Sequence, residues 1–394
     1  MKISEIYSAV MLATLCSIAN AEIKLENGDS FLSLLTIGAR HDDNISQDPD
    51  SQPRDSSAIT VVQPAFLFKA ESSKVRLDGA YNLTHEAYEY DSKDDHTDHT
   101  LLLDSQFTFN SRNKATLSFD YTKEQGIRTS INRSTPNEEV GDRSRFIDLF
   151  SKYQLGADSG RAQFEASLGA SELRYSNNLN TLSQNRLKER DMISRGGTFY
   201  VRVAPKTRLL LEVLRTDFDY KAAESQLNND STKYYAGLIW ELTAKTTGHI
   251  RYGQENKIFD NSGIADISEP AWDINITWQP RSYSRLNIAT GKGAAEGSAR
   301  SDVVNTTNTS ISWVHDWSYR LESTLSFSLI NEEYEGKTFN GREDDTSTAL
   351  AALTYTLNRS LEINASYSRK SRESNAAIEE FDSNIVELSL TFAI

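Results

Sequence analysis

The chain is nearly free of cysteine: the one copy among 394 residues is Cys16. It lies in a short apolar stretch near the start, so the rest of the chain has no thiol with which to build a disulfide. After that stretch no apolar run reaches the length of a membrane-crossing helix. A helical period is also missing, and the hydrophobic positions do not recur at three and four. Basic residues are outnumbered, 42 Lys and Arg against 56 Asp and Glu, for a formal charge of −14. That balance argues against nucleic acid as a partner, because such partners call for a basic surface. Hydrophobic residues make up 38% and the mean hydropathy is −0.54, values of a soluble or even unfolded chain. Aromatics at 10% are too many for disorder.

What is present is a period of two. "YYAGLIWELTAKTTGHIRYGQ" (234–254) sets Tyr234, Ala236, Leu238, Trp240 and Leu242 on one face, and Lys233, Gly237, Glu241 and Thr243 on the other. Two such runs flank a tight turn. In 384–394, Val386, Leu388, Leu390, Phe392 and Ile394 oppose Glu387, Ser389, Thr391 and Ala393. In 271–279, Trp272, Ile274, Ile276 and Trp278 oppose Asp273, Asn275 and Thr277. Segments of this kind recur throughout, about eighteen of them. Their connections alternate in length. "SRN", "ADSG", "PRSY" and "NRS" are short, whereas the intervening loops are long and rich in Asp, Asn, Ser and Glu.

A low mean hydropathy is what a lipid-facing sheet gives, since hydrocarbon needs apolar side chains only at every second position. The pattern predicts an all-β fold: a transmembrane antiparallel up-and-down β-barrel with short periplasmic turns and long extracellular loops. Residues 1–21 read as a signal peptide, with Lys2, an apolar core at 9–18 and Ala19-Asn20-Ala21 as cleavage site. Residues 22–394 then form a single outer-membrane barrel domain. Aromatics mark two expected girdles. Trp278, Trp313, Trp317, Tyr319 and Tyr355 lie near short turns, and Tyr88, Tyr90, Tyr220 and Tyr334 near long loops.

With these segments in view, the chain resembles the β-barrel porin 2 family of Gram-negative outer-membrane proteins. The resemblance rests on "GARHDDNI" (38–45), the 234–254 hairpin, "WDINITWQPRSYSRLNIATGK" (272–292) and "YSRKSRESN" (367–375), and is diffuse over the rest. It implies an outer-membrane barrel, often associated with exopolysaccharide export, and brings no catalytic residues and no cofactor. The expected function is a diffusion or export pore for exopolysaccharide or oligosaccharide. The alternatives are a non-transporting barrel that docks polymer or lipopolysaccharide, and an outer-membrane hydrolase. Expected partners are outer-membrane lipid, lipopolysaccharide, polysaccharide, and the barrel-assembly machinery through the C-terminal strand.

Parity nominates the lumen wall. The charged candidates are Asp104, Asp120, Asp148, Glu165, Arg202, Arg208, Glu212, Lys233, Glu241, Arg251, Asp273, Arg285, Glu322 and Glu362. Acids outnumber bases on this wall, and a cation-preferring or neutral-sugar path follows. The long loop 123–144 is the expected constriction, with Arg128, Arg133 and Arg143 facing Glu138 and Glu139 across the pore. "DDHTDH" (94–99) matches no strong metal signature and reads as a solvated loop. No catalytic set is expected, although His85 with Glu86, and His249 with Glu255, are the pairs a hydrolase would need.

Overall fold

The computed structural model describes residues 23–24, 29–49, 51–128, 140–180, 184–243, 245–298, 301–336 and 341–394. The predicted signal segment, 1–21, lies outside them. A two-residue piece, β1 (Ile23–Lys24), pairs with the first long strand. Eighteen long strands follow. They are β2 (Ser30–Asp42), β3 (Ser57–Glu71), β4 (Val75–Tyr88), β5 (His96–Asn110), β6 (Asn113–Gln125), β7 (Arg143–Leu155), β8 (Ala162–Tyr175), β9 (Arg190–Ala204) and β10 (Thr207–Tyr220). The second half is β11 (Asn229–Thr243), β12 (Thr246–Phe259), β13 (Ile267–Arg281), β14 (Ser284–Ser298), β15 (Ser301–Asp316), β16 (Leu321–Glu335), β17 (Arg342–Asn358), β18 (Leu361–Ser374) and β19 (Phe381–Ala393).

Each strand pairs antiparallel with the next. The last meets the first, Ile385 opposite Asp42 through Ala393 opposite Leu34. The sheet is therefore a closed barrel, and closure removes the raw edge that an open sheet would offer to other chains.

Exposure is inverted relative to a water-soluble protein. Leu211, Tyr252, Leu168, Leu388 and Phe199 stand exposed on the outer face. Glu86, Thr198, Glu362 and Arg372 are buried on the inner one. Only a hydrocarbon surround makes the exposed set favourable, since apolar area in water costs about 25 cal/mol per Å².

The strands are longer than the apolar alternation predicts, and the excess is almost all at the long-loop end. β12 runs on to Phe259, β14 to Ser298 and β18 to Ser374, while β17 begins at Arg342. Beyond the hydrocarbon band the alternation is polar on both faces. Backbone pairing continues there without the pattern that betrays it.

The wall parts between β13 and β14 at the long-loop end. β13 and β14 pair only from Trp272 opposite Lys292 downward. Above that point β13 stays with β12 as far as Lys257 opposite Ile267, and β14 stays with β15 as far as Ser298 opposite Ser301. Pro270 lies in the released stretch of β13, and proline, lacking an N–H, is tolerated on such an edge.

Candidate functional site

The inner face of β4 to β7 carries an acidic ladder. Asp78 stands opposite Asp104, and Asp120 opposite Asp148. Like charges in direct register destabilise a sheet, so the wall tolerates them against its own stability. Several of their hydrogen bonds come from neutral hydroxyls. Ser118 donates to Asp104 at 2.6 Å, Thr122 to Asp120 at 3.2 Å, and Ser171 to Asp148. Glu165 accepts from the Tyr200 hydroxyl at 3.0 Å and faces Lys152 at 3.6 Å.

The bases nominated for the wall are mostly engaged. Arg251 bridges Glu212 at 2.7 Å and Asp273 at 3.2 Å, and His249 also bonds Asp273. Arg208 lies over the Tyr200 ring and donates to Gln163. Arg202 donates to the turn carbonyls of Asp158, Gly160 and Pro205, so it fastens the short-turn rim. Glu241 sits exposed beside the next short turn. Arg285 and Glu322 line a hollow of about 660 Å³ at the same end, together with Asp316. Glu362 is buried and accepts from Thr356 at 3.0 Å.

Of the five constriction candidates, Arg128 and Arg143 fall among the described residues. Arg143 begins β7 on the outer face, where its Nε donates to Gln125 at 2.7 Å, so it cannot reach across the pore. Arg128 is held by the neighbouring loop, at 3.1 Å from Asp91 and 2.6 Å from Asp94. The Lys93 backbone N–H and Arg128 lower the Asp91 pKa, whereas burial raises that of Asp94 despite Arg128. Arg133, Glu138 and Glu139 lie outside the described residues.

A different element narrows the external mouth. Above Lys292, the β14–β15 hairpin leaves the wall and leans inward. Its former lipid face then lies against the inner side of β10 to β13. Glu296 takes the Tyr220 hydroxyl at 2.7 Å, the Asn229 amide at 3.0 Å and the Lys257 ammonium. Glu255 takes the Ala294 N–H at 2.8 Å, the Ser231 hydroxyl at 2.5 Å and Lys233 at 3.2 Å. Glu255 and Lys257 are each 1% exposed. Charges so deep are tolerable only when paired and hydrogen-bonded, which these are. Beside them, Val303 packs with Tyr220, Leu227, Phe259, Ile264 and Ile267.

Other expectations are corrected by the same geometry. Tyr220 and Tyr334 are buried and inward, and Tyr88 donates inward to Glu86, so none joins an external girdle. Trp240 has lipid-face parity but is only 7% exposed, because its indole lies over Gly248. "DDHTDH" is largely strand: His96 faces Glu86 and Asp98 inside, while His99 bonds Tyr81 outside. His85 points outward to Thr97, away from its neighbour Glu86, which holds Arg40 inside. Glu255 serves the hairpin dock through Ala294, Ser231 and Lys233.

Glu296, Lys257 and the inward hairpin were missed in the sequence. Two signals pointed to them: Pro270 inside a strand pattern, and the glycines of "TGKGAAEGS", where alternation lapses.

Apolar outside, polar within and closed on itself, the molecule is a β-barrel of the outer-membrane class. The chain belongs to the family described as "Putative beta-barrel porin 2", whose model matches residues 31–394. It is a bacterial outer-membrane protein. No curated protein matches it. Among solved structures it is similar to OpdK of Pseudomonas aeruginosa crystallised with vanillate, at 10% identity over 94% of this chain and 100% of that one, TM-score 0.49. It is similar also to OccK3 (OpdO) of the same species, at 10% identity over 94% and 97%, TM-score 0.48. The siderophore receptor PirA of Acinetobacter baumannii matches at 8% identity over 92% and 80%, TM-score 0.46.

Proposed function

We propose that the barrel is a diffusion pore for small hydrophilic solutes, with a preference for cations. The observation that carries this reading is the two pairs of opposed carboxylates on the inner wall, Asp120 with Asp148 and Asp104 with Asp78, of which Asp78 also pairs with Arg76 at 2.7 Å. A channel wall that keeps like charges in register raises the local concentration of counter-ions along it. The finer reading, an exopolysaccharide or oligosaccharide as the solute, is supported by the family resemblance and by a wall of hydroxyls and carboxylates that suits sugar hydroxyls. We read the protein as a channel and not an enzyme. The outward turn of His85 and the engagement of Glu255 in the hairpin dock support that.

Planar-bilayer recording of the purified barrel in a KCl gradient tests selectivity. The expected reversal potential has the sign of K⁺ permeation, and a Cl⁻-selective sign overturns the cation preference. Proteoliposome swelling in di- to tetrasaccharides tests the solute. Swelling at a rate that falls with sugar size is expected, and a barrel that passes no sugar supports the docking alternative instead.

A further inference from the structure

The outer wall of β10 to β13 holds a groove of about 810 Å³. Leu211, Val213, Tyr234, Ala236, Tyr252 and Pro270 line it. Ala236 stands directly opposite Tyr252, so a small side chain makes the floor and two half-exposed tyrosines make the sides. The groove ends at Ser268 and Pro270, on the edge that β14 has released. It is thus a lipid-facing trough in the half of the barrel nearer the long loops. That half lies in the outer leaflet.

Immediately above it, also on the outer face, sits a group of four charges. Arg215 reaches Asp217 at 3.0 Å and Asp230 at 2.5 Å, and Arg195 pairs with Asp217. The two arginine side chains are 44% and 55% exposed, and each guanidinium has five N–H donors. Donors therefore remain for an outside anion. The group is neutral as a whole, so it lacks the repulsion that the net charge of −14 imposes elsewhere. An apolar trough roofed by exposed guanidinium groups fits an amphiphile with acyl chains and a phosphate head.

We propose that this surface docks the lipid A part of lipopolysaccharide, with an acyl chain in the groove and a phosphate on Arg195 and Arg215. The proposal rests on the outer-membrane setting and not on the pore reading, since every residue involved faces away from the lumen.

The test is lipid retention by the full-length barrel, folded in detergent and read by native mass spectrometry. Diphosphoryl lipid A, monophosphoryl lipid A and phosphatidylglycerol are the probes. Two variants are compared, Arg195→Gln with Arg215→Gln, and Ala236→Trp, which fills the groove. Wild type is expected to keep one diphosphoryl lipid A, and each variant to lose about tenfold in retention. Monophosphoryl lipid A is expected to hold less tightly, and phosphatidylglycerol to wash off. Heat-dependent gel mobility checks that the variants fold. Single-channel conductance should stay unchanged in both, so a failure here is separable from a failure of the pore. Equal retention by wild type and both variants overturns the proposal, as does phosphatidylglycerol held as well as lipid A.

Discussion

A methyl group at Gly248 would stand 2.4 Å from the Asn275 carbonyl oxygen and 2.9 Å from the Trp240 ring. Both neighbours are fixed, one by the β12–β13 ladder and the other by its own bulk. Gly248→Val is therefore expected to destabilise the barrel by roughly 1–3 kcal/mol, the usual range for overpacking. Urea unfolding from lipid vesicles measures it. In the short turn after β7, the Lys114 ammonium and the Gln154 amide bond Asp158 and hold its carboxyl below the usual range. A lowered pKa stabilises the fold above the unfolded value, and that contribution is lost as pH falls through the folded value. Asp158→Asn should thus weaken the barrel near neutral pH and make no difference in strong acid, a contrast that unfolding at two pH values reads directly. At this scale the sequence was legible in parity but not in reach. Asp104, Asp120 and Asp148 follow from alternation alone. The placement of the Trp240 ring over a glycine, or of Tyr334 away from lipid, depends on a neighbouring strand and on how the wall curves.

Among the elements, the β14–β15 hairpin matters most for passage. Its dock places two carboxylates and two ammonium groups between layers of the molecule, and breaking such a buried pair commonly costs about 3–5 kcal/mol. Glu296→Ala leaves Lys257 without the carboxylate it bonds. The expected outcome is a larger single-channel conductance, with more frequent switching between levels, in planar bilayers. An unchanged step size would mean that the hairpin does not limit flow. The strands themselves were legible wherever hydrocarbon demands alternation, and the alternating run read at 271–279 begins close to the point where β13 and β14 part. The pattern stops there because β14 leaves the lipid, and nothing in a single strand says whether it then enters a loop or the lumen.

For the whole molecule, closure followed from the sequence because short turns and longer loops alternate along most of the chain and one face stays apolar. Selectivity is likewise a property of the summed field, not of one side chain. Replacing Asp104, Asp120 and Asp148 together by Asn should move the reversal potential towards zero. Loss of only one of them should have a much smaller effect, and no shift in the triple variant would place selectivity elsewhere.

The inward hairpin leans on β10 to β13, so the external mouth is not symmetric about the barrel axis. If solutes pass, one flank of that mouth offers them the folded-in ribbon and the other the barrel wall, and a chiral solute would present a particular side to each. Handedness would then enter as a criterion of transit, something a round aperture of the same area could not impose.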